Sequence, residues 1–500
     1  MTKFNKSLQK RDASIVPFGP NLINRAGGAA YHDTPESALY KQIATSLWSG
    51  DGYYERQEEW FTRFQQNVAE AVRKDVAYPL QLAAYARDRK DGLALRSSPI
   101  ALYAEAAMRP ETKGSGLIRR YAPKILQRAD EPAEVIAYLN RRWPHNGIPH
   151  GILRGIADVL PGFDEYQLAK YRKGAVSMRD VFRLARPKPQ TKEQEELWDR
   201  VVSDRLETPY TWETELSQAA TDEAKREKWN QLIGSGKLGL FALMRNIRNI
   251  VKYNADIEEA LSQITKERVV GAGILPFQWY KAYKAVREHA GEAIAEPMQQ
   301  AVEWSLEDLP LLPGTTLVAC DNSGSMDAYV TRGLANKEIA NLMGAMTVYF
   351  SQAGYAATFG SDFALADVNR ERGIFGNKHQ IDATGKTTGH DTLAWKIFQT
   401  LIRERIWVDR VIIFSDMQCY DLQYRHWMGG HSLSEELGAY LKMNPNVVVY
   451  SVNLQSQDNS TQFAPDQPVV ELAGWSESIF RFMAAMEVGN SLIEHVKTDY

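Results

Sequence analysis

The sequence predicts a multidomain fold: an all-helical module over residues 1–305 and a doubly wound α/β domain over residues 314–500. Three observations carry this. From about Thr34 to about Gln300, apolar residues recur at i, i+3 and i+4, with no strand-type alternation among them. The run Leu306-Glu307-Asp308-Leu309-Pro310-Leu311-Leu312-Pro313-Gly314 then brings two prolines and a glycine, the composition of a connection. Beyond it, continuously apolar strand-length runs alternate with helical ones, the mark of a parallel sheet covered on both faces. Five hundred residues also exceed one ordinary core.

In chain order, Thr34 is an N-cap candidate for a helix opening at Pro35-Glu36-Ser37-Ala38-Leu39. Its hydroxyl can satisfy a first-turn amide, and proline has no amide to satisfy. Helical spacing marks Pro79 to Ala86, Ile100 to Met108, Glu134 to Leu139 and Trp212 to Leu216. Many medium helices without a strand partner bury their apolar faces by stacking in pairs, an α-solenoid being one arrangement; no fixed-period repeat is visible. In the second part, Thr315 to Cys320 reads as a strand and about Arg332 to Gln352 as a long helix. Tyr355 to Phe359 is a short strand, about Asp391 to Arg403 a helix, and Val411 to Phe414 and Val447 to Leu454 are central strands. Such sheets bind ligands beyond the carboxyl ends of their strands.

With 44% apolar and 24% charged residues the chain reads as globular. No run approaches the roughly 20 apolar residues of a membrane span. The polar, basic start Met1 to Ser7 is not followed by an apolar run of signal-peptide length. A cytoplasmic protein without a membrane partner is the expectation. Two cysteines, Cys320 and Cys419, cannot form a disulfide framework and read as reduced core thiols. The net charge of -3 divides into +7 over residues 1–300 and -10 over 301–500, with a surplus of +9 between 81 and 190. A concentrated cationic surplus attracts polyanions, although a solvated helical face gives the same count.

The strand Thr315 to Cys320 stops at Asp321, and Asp321-Asn322-Ser323-Gly324-Ser325 is a D-x-S-x-S loop. A carboxylate and two hydroxyls at alternate positions of a tight turn can direct three hard oxygens at one small divalent cation, with Mg²⁺ the best match. Alone, Asp321 could be a cap or turn residue. The strand end Ile412-Ile413-Phe414-Ser415-Asp416 supplies a second carboxylate, and the loop Thr384 to Thr392 lies between them in sequence. Asp321, Ser323, Ser325 and Asp416 are the expected metal ligands, to which that loop could add a threonine hydroxyl.

This constellation resembles the von Willebrand factor A domain with a metal-ion-dependent adhesion site. The family pattern would place its middle-loop threonine at His390, with Thr388 and Thr392 as nearby substitutes. In the helical part, Leu153 to Ala157, Phe163 to Arg172, Ser177 to Pro189, Trp212-Glu213, Leu243 to Asn246 and Ile274 to Phe277 are similar to the TROVE module. TROVE followed by an A domain is the architecture of the Ro autoantigen family, here of a bacterial or phage kind. The resemblance implies a monomeric HEAT-like repeat ring that the A domain helps to close, and a ribonucleoprotein with a small structured, noncoding Y-like RNA. It also implies capture of misfolded RNA by its single-stranded 3′ end for quality control or decay, and a 3′ exoribonuclease as partner. Lys170, Lys173 and Arg186 fall where family members place outer RNA-contacting side chains.

The residues themselves agree. Lys170-Tyr171-Arg172-Lys173 sets three cations around one ring, and Arg179, Arg183, Arg186 and Lys188 follow. The spacing 179, 183, 186 predicts one helical face of guanidinium groups able to straddle a phosphate backbone. The alternative is a solvated basic face paired with Asp180 and its neighbours. Weaker candidates are Arg119-Arg120 with Lys124 and Arg128, and Arg87-Asp88-Arg89-Lys90 with Arg96. A second function class is a Mg²⁺-dependent interaction scaffold in which the A domain captures a partner's carboxylate. Catalysis is not expected: His379, His390 and Asp391 show no nucleophile–base spacing, and Gly385-Lys386-Thr387 lacks the preceding glycine of a phosphate loop.

Overall fold

Six strands form one sheet in the computed structural model. Their order is Val469–Ala473, Val448–Asn453, Arg410–Ser415, Leu312–Asp321, Ser351–Phe359 and Phe363–Ala366, all parallel except the last. The structure describes residues 22–23, 29–45, 57–89, 91–207, 212–217, 219–236, 238–290, 294–307, 309, 311, 312–331, 334–419, 431–474, 479–480, 482–483 and 492–500. Of the residues singled out from the sequence, Met1 to Ser7, Lys90, Asp308, Pro310 and Arg332 lie outside these.

The first strand in sequence of this sheet, Leu312–Asp321, lies at its middle. The chain next builds Ser351–Phe359 on one side of it and then crosses to Arg410–Ser415 on the other. That reversal opens a crevice at the carboxyl ends of Leu312–Asp321 and Arg410–Ser415, where Asp321 and Asp416 stand. One face of the sheet packs Leu317, Ala319, Val411 and Ile413 against Ile397, Phe398 and Leu401 of helix Trp395–Arg403 and Leu437 and Tyr440 of helix Leu433–Met443. On the other face, helix Asn336–Phe350 approaches so closely that a Cβ on Gly344 would lie 2.4 Å from Cys320 Sγ. Cys320 and Cys419 are both buried free thiols.

The elements differ from the sequence reading in identifiable ways. The long helix begins at Asn336 and ends at Phe350; Ser351 and Gln352 already belong to the next strand, which runs to Phe359. Helix Trp395–Arg403 starts four residues later than expected, because Asp391 and Thr392 complete the preceding loop. Helix Gly373–Gly385 and strands Phe363–Ala366 and Val469–Ala473 had no clear signal. The two strands are four and five residues long, and the helix mixes polar and apolar residues without a marked face.

By compactness the described residues form two units, one up to Arg63 with 264–495, the other 64–263 with 496–500. The first unit thus gathers more than the sheet. Strand Ala29–His32 pairs antiparallel with Ser460–Thr461, and helix Pro35–Ala44 follows, with Thr34 accepting Ser37 N at 3.2 Å as its cap. Tyr40 Oη donates to Ala473 O at 3.2 Å. Lys41 pairs with Asp33 at 2.8 Å and Glu471 at 3.2 Å.

The second unit is a succession of helices laid against one another: Tyr78–Arg87 on Ser97–Ala107, Leu117–Ile125 on His150–Val159, and Met178–Ala185 on Lys192–Val202. Two buried carboxylates tie it together. Glu105 accepts from Tyr138 Oη at 2.8 Å and from Gln65 Nε2, Trp143 Nε1 and Arg109 Nη2 at 3.0 Å each. Glu131 pairs with Arg87 at 2.8 Å, both almost fully buried, and also accepts Gln127 N and Arg128 N. Removing one partner strands the other charge in the interior. Glu131→Ala is therefore expected to cost about 3–5 kcal/mol, read by urea unfolding of the full chain. A cost below about 1 kcal/mol would mean water reaches Arg87.

Candidate metal centre and basic groove

Asp321 ends its strand fully buried. Its Oδ1 accepts Ser323 N at 2.8 Å, and its Oδ2 accepts Ser415 Oγ at 2.5 Å. The chain turns at once into the short helix Gly324–Asp327, which brings Ser323 Oγ and Ser325 Oγ to 3.3 Å. From the neighbouring strand end, Asp416 accepts Gln418 N at 3.1 Å and Gln457 Nε2 at 3.2 Å, and it hydrogen-bonds with Ser325. Both carboxyls are pushed up, Asp321 to about 6 and Asp416 to about 7, chiefly by burial. The Asp321 charge raises Asp416 further.

The middle loop closes on the first through its backbone: Gly324 N donates to His390 O at 2.8 Å. His390 and His379 are exposed. Thr388 is buried, its hydroxyl donating to Gly385 O at 3.0 Å, which leaves lone pairs free. Thr392 is also buried.

Two buried carboxylates with no cationic side chain paired to them among the described residues, beside convergent serine hydroxyls, fit a divalent ion with hard ligands. Among the described residues no cluster of three His, Cys, Asp or Glu forms a metal site, so any such ion depends on Ser and Thr oxygens. Sequence reasoning passed over Ser415, inside the strand-end run that it did note, and Gln457, which has no local signal.

The basic residues fall into two groups. Several that the sequence counted as free are committed. Arg172 Nη1 donates to Leu206 O at 2.6 Å, fixing a turn. Arg96 bonds Asp130 and Glu134, and Arg128 bonds Asp130 at 3.0 Å and stands 5.2 Å over the Tyr171 ring. Lys124 Nζ donates to Tyr500 O at 2.7 Å. Lys170 is half-buried, 5.7 Å from the Tyr171 ring centre.

Lys173, Arg179, Arg183, Arg186 and Lys188 are exposed. Arg179 and Arg183 lie four apart on helix Met178–Ala185, but Arg186 does not continue their face. The helix stops at Ala185, and Arg186 takes φ 49° in the left-handed region. Pro187 explains why the helix ends here, since the residue before proline is kept out of the right-handed helical region. Asp180 makes no ion pair with this row among the described residues. It closes the capping box with Ser177, whose hydroxyl and amide hold its carboxyl below the usual range, and the nearby Arg179 and Arg183 charges help to lower it.

The turn at Arg186 builds a groove of about 510 Å³, lined by His150, Arg154, Arg183, Leu184 and Arg186 with Arg119 and Asp158. Asp158 holds Arg119 in a two-point pair at 2.5 and 2.9 Å. Arg154 and Arg183 make no ion pair among the described residues. Arg154 and His150 escaped sequence reading because they stand alone in the chain, 29 and 33 residues before Arg183, the nearest groove cation beyond their own helix.

The TROVE domain family matches residues 53–204 and 203–349, more than half of the chain. No curated protein matches the sequence. The crystal structure of the Deinococcus radiodurans RO (RSR) protein is similar, with a TM-score of 0.61 and 16% identity over 91% of this chain and 99% of that one. At that identity the likeness is one of fold: a helical-repeat module with a von Willebrand factor A-like α/β domain. The chain belongs to the TROVE-domain family.

Proposed function

We propose that this protein binds RNA without catalysing its turnover. In this reading it forms a ribonucleoprotein with a small structured Y-like RNA and receives misfolded RNA with a single-stranded 3′ end for quality control or decay. The observation that carries it is the groove at Arg154, Arg183 and Arg186. Its guanidinium groups are not spent on carboxylates, apart from Arg119. A phosphate offers pairs of anionic oxygens at a spacing that suits the planar guanidinium fork. Lys173, Arg179 and Lys188 extend the exposed charge around it. Membership of the TROVE family supports the same ligand class.

The test is filter binding of a labelled hairpin RNA with a 3′ tail. Lys173→Ala/Arg186→Ala is expected to weaken binding at least 10-fold and to lower the salt slope by nearly two, one phosphate contact per side chain. Unchanged affinity and slope would remove the groove from the reading.

A second reading is supported by the Asp321 and Asp416 centre. There Asp321, Ser323, Ser325, Thr388 and Asp416 would hold Mg²⁺, and a partner's carboxylate, that of a 3′ exoribonuclease among the candidates, would complete its coordination. Asp321→Ala should then abolish Mg²⁺-dependent partner capture with RNA affinity intact. Loss of RNA binding in that variant would tie the two functions together instead.

A further inference from the structure

The D-x-S-x-S loop is held from behind by a relay of buried polar side chains. Asn322, set between Asp321 and Ser323, exchanges two hydrogen bonds with Asn341 of helix Asn336–Phe350. Asn322 Nδ2 donates to Asn341 Oδ1 at 3.0 Å, and Asn341 Nδ2 donates to Asn322 Oδ1 at 3.1 Å. Each amide nitrogen also makes a second bond, Asn322 to Cys320 O at 3.2 Å and Asn341 to Asp382 Oδ1 at 2.8 Å. Asp382 Oδ2 in turn accepts Lys378 Nζ at 2.7 Å, both on helix Gly373–Gly385. Lys378 is 2% exposed. It hydrogen-bonds with Tyr280 and lies 4.5 Å from the centre of that ring.

Tyr280 belongs to helix Pro276–Ala290, which lies before the α/β domain in sequence but packs into the same unit as the sheet. Phe375, on the helix of Lys378, fixes that contact: its ring stacks on Tyr283 at 4.9 Å and meets Tyr280 edge-on at 5.4 Å. The helix of Lys378 also ends against both metal loops. A Cβ on Gly385 would lie 2.2 Å from Asn322 Oδ1, and Gly385 O accepts the Thr388 hydroxyl. Replacing a buried ion pair with well-packed apolar side chains is often neutral or stabilising, so stability alone is a weak reason for Lys378 and Asp382. What directional bonds add is a fixed orientation for the group they end on. Here that group is Asn322, between two of the candidate ligands.

We infer that Asn341, Asp382, Lys378 and Tyr280 are positioning residues of the metal centre, through which helix Pro276–Ala290 sets the affinity of the loop for its divalent ion. The inference rests on the reading that the loop holds such an ion, and adds that its affinity depends on a helix outside the α/β domain. The dependence is reciprocal: an ion that favours the ordered loop also favours the contact between Lys378 and Tyr280.

The test is the affinity of the full chain for Mn²⁺, which suits the same hard oxygen ligands, with free Mn²⁺ read by electron paramagnetic resonance. Asn341→Leu and Lys378→Met are each expected to weaken binding about 10- to 100-fold. Because both cut one relay, the double variant should be little weaker than the worse single one. Tyr280→Phe keeps the ring and removes only the hydroxyl; it should give a smaller loss in the same direction and serves where a larger change prevents folding. Val286→Ala opens a cavity on the same helix, at a fully buried position outside the relay. It should lower Tm and leave Mn²⁺ affinity within twofold. Unchanged affinity in the three relay variants, additive losses in the double variant, or an equal loss in Val286→Ala would each overturn this inference alone, provided Asp321→Asn abolishes Mn²⁺ binding. Binding that is missing from the wild type, or that survives Asp321→Asn, overturns the metal reading as well.

Discussion

Asp321→Asn is expected to abolish Mg²⁺ binding and, in metal-free buffer above pH 7, to stabilise the fold. Both effects have one cause. Two fully buried carboxylates face each other across the crevice, and their folded pKa values, about 6 and about 7, lie above the ordinary aspartate value of 3.8. The folded state therefore binds these protons more tightly than the unfolded state does. Metal-free stability should be highest below about pH 4 with respect to these groups and fall as pH rises through 4 to 7.

A divalent cation reverses the sign, since it requires both carboxylates ionised. Thermal unfolding with and without 10 mM Mg²⁺ at pH 5 and pH 8 reads this directly. The Mg²⁺-induced rise in Tm should be larger at pH 8 and absent in Asp321→Asn. Equal shifts at the two pH values, or a shift that survives in the variant, would place the ion elsewhere.

The second large effect is on RNA. Arg154→Ala/Arg183→Ala/Arg186→Ala removes the cations that line the groove without an acidic partner. Structured RNA affinity should fall about 100-fold or more at 50 mM salt, and the slope of log K against log salt should lose nearly three. Asp158→Asn provides the opposite sign. It releases Arg119 from its two-point pair and removes a negative charge from the groove, so binding should tighten several-fold at low salt and by less at high salt.

Much of the architecture was legible because it follows from periodicity. Apolar residues at helical spacing marked the region up to about Gln300 as helical and located several of its helices, and the apolar runs ending at Asp321 and Asp416 placed both carboxylates at strand ends of one sheet. What escaped depends on contacts distant in sequence. Arg172 looked as free as Lys173 until the chain returned with the Leu206 carbonyl. Arg186 looked helical by spacing, although the following Pro187 contained the information that the helix must end. Arg154 and His150 join Arg183 only because helix His150–Val159 lies beside Met178–Ala185.

We propose that structured RNA docks at the groove between those two helices. Photocrosslinking of a hairpin RNA with a 3′ tail to the full chain, followed by mass spectrometry of the crosslinked peptides, reads the location itself. The account predicts crosslinks concentrated between His150 and Lys188, lost in Arg154→Ala/Arg183→Ala/Arg186→Ala. Crosslinks confined to other segments, or unchanged in that variant, would contradict it.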